Sequence, residues 1–172
     1  MLLGIQKVYG AEALAAVKAA VPRDVAEALE NVLPVQLYPV RVSALTHQAL
    51  RDTVGKGTSW APNHAVGVAA AGIDFTGVYR VLLRALSYDT VWNRMETAWG
   101  QYNSQGSITW GERREGFVRG VVSGVEGYNL GMWHSVAGRA EGLIRMSGAK
   151  ASAGKVIEGD TRGCVIEITW TA

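Results

Sequence analysis

The stretch from Gly127 to Met146 constrains the fold more than any other part of this sequence. Met132, Val136, Ala140 and Leu143 recur at helical spacing, so the segment reads as one helix with a buried stripe. Beside that stripe run Gly131, Ser135, Gly138 and Gly142, a face almost without side chains. Glycine inside a helix costs roughly 1 kcal/mol relative to alanine, so this density requires a close approach by something. The simplest partner is a sheet on which the smooth face lies; a ligand or a partner subunit is the alternative. Strand-like segments flank the helix on both sides, which makes it the pivot of the chain.

The pattern changes character near Gly106. Residues 1–105 read as helical and rich in alanine and leucine. Ala11 to Ala20 forms a helix that Pro22 stops, because proline lacks the amide a continuing helix needs. Pro22 also suits the start of the next helix, whose buried face is Val25, Leu29, Val32 and Leu33. Leu33-Pro34 and Tyr38-Pro39 mark an extended connector. A third helix carries Val42, Leu45 and Ala49 and ends at Gly55 and Gly57. Residues 58–64 form a polar loop, with Pro62 placed to open a fourth helix through Gly72. Phe75 to Ser87 is the most apolar part of this half. Asp89 to Tyr102 follows, with Trp92, Met95, Trp99 and Tyr102 at steps of three and four.

Residues 106–172 read as a sheet plus the pivot helix. Ser107 to Arg114 and Gly116 to Gly124 alternate with period two and form a hairpin. Glycines 116, 120 and 124 share one face of the second strand and leave room for the pivot helix to settle there. Lys150 to Glu158 and Cys164 to Trp170 form a second pair around a turn at Gly159 to Gly163. The expected fold is α+β: a helical half packed with a four-stranded antiparallel sheet of order β-β-α-β-β, within one domain spanning 1–172.

A chain of 172 residues with net charge +2 and scattered charges is long enough for its own core. It offers no basic stretch interleaved with aromatics, so nucleic acid is not an expected partner. The single Cys164 excludes an internal disulfide and suits a reducing cytoplasm. The N-terminus does not read as a signal peptide. The apolar run from Ala65 to Ile73 is far short of the ~20 residues needed to span a bilayer, so no membrane span is expected.

Two motifs carry a family resemblance. Gly138 to Leu143 reads Gly-x-x-Glu-Gly-Leu on the pivot helix, and Gly159 to Cys164 is an acidic glycine turn running into a cysteine and the last strand. This C-terminal half resembles the vinyl-4-reductase-type ligand-binding domains, a superfamily that includes the TRAPP subunits and the haem nitric-oxide-binding domains. Leu37 to Val40 and Gly77 to Arg84 resemble an uncharacterised, mostly myxobacterial family on that fold. The resemblance implies a ligand-binding sensor or adaptor domain in bacterial signalling, or a homodimeric scaffold like the TRAPP subunits; a reductase-like enzyme is a third reading. Two departures limit it. No second cysteine stands before Cys164, which argues against a thiolate metal site. The Tyr-x-Ser-x-Arg motif of the haem relatives is absent, so no haem or other cofactor is expected.

On the residues themselves, no nucleophile-base set, paired carboxylates, phosphate loop or zinc spacing appears, so no catalytic or metal site is expected and the chain reads as a non-enzyme. His134 reads as a hydrogen-bonded or surface histidine, and Cys164 as a buried structural thiol. The six tryptophans point to a pocket between the aromatic helices and the sheet. Its expected walls are Tyr79, Trp92, Trp99 and Trp133, with Arg80 or Arg139 as polar anchors for an apolar or anionic small molecule or lipid.

Overall fold

A computed structural model describes residues 1–33, 36–74 and 78–172, without the side chains of residues 78–80. Leu2–Ala20 (α1) is two helical pieces joined at Gly10, whose φ of +87° is open to glycine without strain. The helix therefore begins well before the expected Ala11. Pro22 caps Arg23–Glu30 (α2), where Val25 and Leu29 are buried. Val32 and Leu33 were expected on that face but are 45% and 57% exposed. The helix has ended at Glu30, so the periodicity no longer binds them. Val40–Thr53 (α3) and Ala61–Asp74 (α4) follow, the latter with Pro62 in its first turn. The short Val78–Ala85 (α5) leads to Tyr88–Tyr102 (α6), capped by Ser87, whose hydroxyl accepts from the Thr90 amide at 3.2 Å.

Ser107–Arg114 (β1) and Phe117–Ser123 (β2) form the first hairpin. Leu130–Met146 (α7) starts at Asn129, whose side chain accepts from the Met132 amide at 3.0 Å. Ala151–Gly159 (β3) and Cys164–Thr171 (β4) form the second hairpin. The hairpins join through β2 and β4 into one antiparallel sheet of order β1-β2-β4-β3. The α+β architecture expected from the period change at Gly106 is the observed one.

Ile108, Trp110, Val118, Val122, Ile166 and Ile168 bury the inner face of the sheet. Trp92 from α6 and Trp133, Ala137, Ala140 and Ile144 from α7 complete that core. The outer face is polar, with Arg119 bridging Glu112 at 2.9 Å and Glu167 at 2.6 Å. A second cluster, around Ile5, Val17, Val25, Leu50 and Val66, holds the N-terminal helices together.

The bare side of α7 does not lie on the sheet. A Cβ on Gly138 would meet the His64 carbonyl oxygen at 2.2 Å, and one on Gly142 would meet the Ala71 Cβ at 2.8 Å. From the other side, a Cβ on Gly67 would meet the Ser135 carbonyl oxygen at 2.2 Å. Thus α4 and α7 touch backbone to backbone, and Gly67 completes a surface smooth from both helices. The β2 glycines play no part in seating α7. Gly116 and Gly124 stand in the turns flanking the strand with φ of +69° and +74°, and the space over Gly120 holds the Trp110 ring. The sheet meets the neighbouring side of α7 through Trp133, Ala140 and Ile144 and, on β3, through Gly154, where a Cβ would lie 2.6 Å from the Ala137 carbonyl oxygen.

Candidate functional site

The residues of α7 divide among three neighbours. Gly131, Gly138 and Gly142 face α3 and α4, while Trp133, Ala137, Ala140 and Ile144 join the sheet core. Met132, Ser135, Val136, Arg139 and Leu143 run along the remaining side at steps of three and four. That stripe borders a partly open cavity of about 1080 Å³. Opposite it stand Leu82 and Leu83 of α5 and Met95, Ala98 and Trp99 of α6. Leu37 to Val40 and Ser43 close one end, Ile108 and Tyr128 another, and His47 of α3 forms part of the wall. The lining is mainly apolar with a few fixed polar groups, the usual form of a small-molecule site.

The polar groups are held from behind. The Tyr128 hydroxyl donates to Asn103 Oδ1 at 2.7 Å, and burial pushes its phenol pKa up. Trp99 Nε1 donates to the Gln105 carbonyl at 3.1 Å. Arg139, half-exposed, pairs with Asp74 at the end of α4. His47 is 4% exposed, and Asn63 on α4 is fully buried against it. Asn63 Nδ2 donates to the His47 carbonyl at 2.9 Å and lies 3.1 Å from His47 Nδ1. Burial, seconded by the positive N-terminal amino group and Arg139, pushes the His47 ring down to about 3. The imidazole is therefore neutral at pH 7, with Nδ1 as acceptor and the ring proton on Nε2.

Of the aromatic walls and anchors expected from sequence, Trp99 and Arg139 border this cavity. Trp92 and Trp133 do not. Trp92 lies 4.6 Å from the Trp110 ring between α6 and the sheet. Trp133 stacks on Tyr128 at 4.4 Å, and its Nε1 donates to the Asp160 carbonyl at 2.7 Å, tying the β3–β4 turn to α7. It backs the wall without reaching it. The side chains of Tyr79 and Arg80 lie outside the described residues. His47, Asn63 and Ser135 were not singled out as pocket residues; His47 and Asn63 are 16 residues apart on different helices, a separation that leaves no local signature.

A smaller groove of about 400 Å³ lies on the other side of α7, bordered by His64, His134 and Lys155. Here His64 Nε2 meets Glu141 Oε2 at 2.8 Å, and the same oxygen accepts from the Gly154 amide at 2.8 Å. Arg145 pairs with the other Glu141 oxygen. The glutamate of the Gly-x-x-Glu-Gly-Leu motif thus fastens α4, α7 and β3 together. Burial, then the nearby His64, pushes the His134 pKa down. Cys164 is buried and free, its thiol pushed up to about 12 by desolvation. Among the described residues no helix is long and apolar enough to cross a membrane.

No protein-family model matches the sequence, and no curated protein matches it. The fold is similar to that of solved H-NOX domains. An Fe(II) unliganded H-NOX protein from K. algicida superposes with a TM-score of 0.66 at 11% identity, over 99% of this chain and 92% of that one. An oxygen-binding H-NOX domain related to soluble guanylate cyclases, in its oxygen complex, gives 0.65 at 10% identity, over 99% and 91%. A structure from work on haem distortion in the H-NOX family gives 0.59 at 11% identity, over 99% and 91%. At such identity the likeness establishes the fold.

Proposed function

We propose that this chain is a non-catalytic sensor or adaptor domain that binds an apolar small molecule or lipid in the cavity between α5, α6 and α7. The carrying observation is the cavity of about 1080 Å³, with one continuous side of α7 left to border it. The vinyl-4-reductase-type resemblance and the H-NOX-like fold support the same reading, because both belong to domains that report a bound small molecule. A cytoplasmic setting in bacterial signalling fits this role.

The H-NOX neighbours are described with iron, oxygen and haem, but the residues here do not fit a histidine-ligated haem. A metal-bound imidazole presents a lone pair and donates its other N–H to a supporting group. His47 Nδ1 faces the Asn63 amide nitrogen, a donor, and not a group that could accept a second ring N–H. His64 and His134 border the other groove. The mainly apolar lining with a few polar groups suits an organic molecule held by apolar contact and hydrogen bonds.

The test is a titration of lipid-stripped protein with diphenylhexatriene, a neutral apolar fluorophore. One saturable site is expected, and it is lost in Val136→Trp, which fills the cavity from α7. Absent saturable binding, or equal binding by the filled variant, overturns the proposal.

A further inference from the structure

The tautomer that disfavours iron has a positive consequence. Asn63 Nδ2 is fixed in direction because it also donates to the His47 backbone carbonyl at 2.9 Å. The amide therefore cannot turn its oxygen to the ring, and Nδ1, 3.1 Å away, must act as acceptor. Asn63 Oδ1 is left buried without a hydrogen-bond partner among the described residues. An unfilled buried acceptor is unfavourable, so the amide's value lies in what its nitrogen holds. The pair nests where α7 has no side chain: a Cβ on Gly131 would lie 2.3 Å from Asn63 Nδ2 and 3.0 Å from His47 Cβ. Ser135 comes one turn further along α7 and Arg139 one turn beyond that, and both border the cavity with His47.

Resting on the binding reading above, we propose that Asn63 locks His47 as a neutral Nε2–H donor, and that His47, Ser135 and Arg139 select an apolar carboxylic acid. All three present donors, one of them cationic. A carboxylate accepts from all three, Arg139 keeping further N–H donors beyond the one it gives to Asp74, whereas an ammonium head has nothing to accept with. Met132, Val136 and Leu143 on the same side of α7 receive the apolar body. Asn63 is a positioning residue: it acts through the His47 proton.

Two measurements need no variant. Dodecanoate is expected to bind lipid-stripped protein at least about tenfold more tightly than dodecylammonium; equal or reversed affinities overturn the proposal. Nitrogen-15 NMR at pH 7 is expected to find His47 Nδ1 unprotonated and Nε2 protonated, and the opposite tautomer overturns it. Asn63→Leu removes the donor that holds Nδ1 as acceptor. It is expected to let nitrogen-15 NMR detect a proton on Nδ1 and to weaken dodecanoate while leaving diphenylhexatriene binding in place; a folded variant whose His47 stays wholly in the Nε2–H tautomer counts against the lock. Should this variant fail to fold, the two wild-type measurements decide. If diphenylhexatriene binds and dodecanoate does not, this inference alone fails; if neither binds, the binding reading fails with it.

Discussion

Replacing Gly138 by alanine tests the helix contact that positions the cavity wall. The added Cβ would lie 2.2 Å from the His64 carbonyl oxygen and 3.0 Å from its carbon. A relaxed carbon–oxygen contact is about 3.3 Å, so α4 and α7 must part locally by about 1 Å. The obstructing atoms are backbone, and no side-chain rotation relieves them. Overpacking of this kind typically costs about 1–3 kcal/mol, and alanine's better helix propensity returns up to ~1 kcal/mol. With rigid neighbours on one side, the expected net loss is about 2 kcal/mol, a fall in Tm of roughly 4–8 °C for a chain of this size. The control is Gly100→Ala on the exposed side of α6, where no described atom lies within 4 Å of the new Cβ. There the expected change is a gain of up to ~1 kcal/mol. Urea unfolding followed by tryptophan fluorescence and circular dichroism reads both variants. Adding Gly67→Ala to Gly138→Ala should cost less than the sum of the two, because both press on the same interface. A Gly138→Ala protein as stable as Gly100→Ala would refute the backbone contact.

Two further outcomes follow from the buried ionisable groups. His47 is held down to about 3 in the folded protein against 6.5 unfolded, so below pH 6.5 the unfolded state takes up a proton that the folded state refuses. Its share of stability is intact above pH 6.5 and falls as pH drops towards 3, by about 2 kcal/mol at pH 5; urea midpoints at pH 7 and 5 should show this slope, and His47→Gln should flatten it. A slope unchanged by the substitution contradicts the assignment. Cys164, 4% exposed with its thiol pushed up to about 12, should react with a disulfide reagent at pH 8 only as fast as the protein opens; immediate stoichiometric labelling contradicts that burial.

Much of the fold was legible because its signals are local. Period-two alternation marked both hairpins, the Gly159 to Gly163 turn marked the join of the second, and Pro22 and Pro62 marked the starts of α2 and α4. The partner of the bare side of α7 was not legible. Glycines 131, 138 and 142 announce a close approach, but a smooth helix face suits a sheet or another helix equally. Gly67, which settles the matter, is one of two glycines within an alanine-rich segment. The pocket was half legible for a similar reason. Trp92 and Trp99 occupy one predicted stripe, yet the sheet takes Trp92 and only Trp99 borders the space beyond it. Trp133 was singled out for its size, but a neighbouring ring, Tyr128, stands between it and the cavity wall. The His47–Asn63 contact depends on how α3 and α4 cross, which no spacing encodes.

The central claim, that the space between α5, α6 and α7 is the ligand site, is tested most directly by methyl NMR on the methionines. Met95 and Met132 border the cavity, whereas Met1 packs against the N-terminal cluster around Ile5 and Val17. With methyl-labelled methionine, saturating diphenylhexatriene should shift the Met95 and Met132 signals most, along one binding curve, and leave Met1 nearly in place. A saturable shift centred on Met1, or binding that moves neither Met95 nor Met132, would contradict the account.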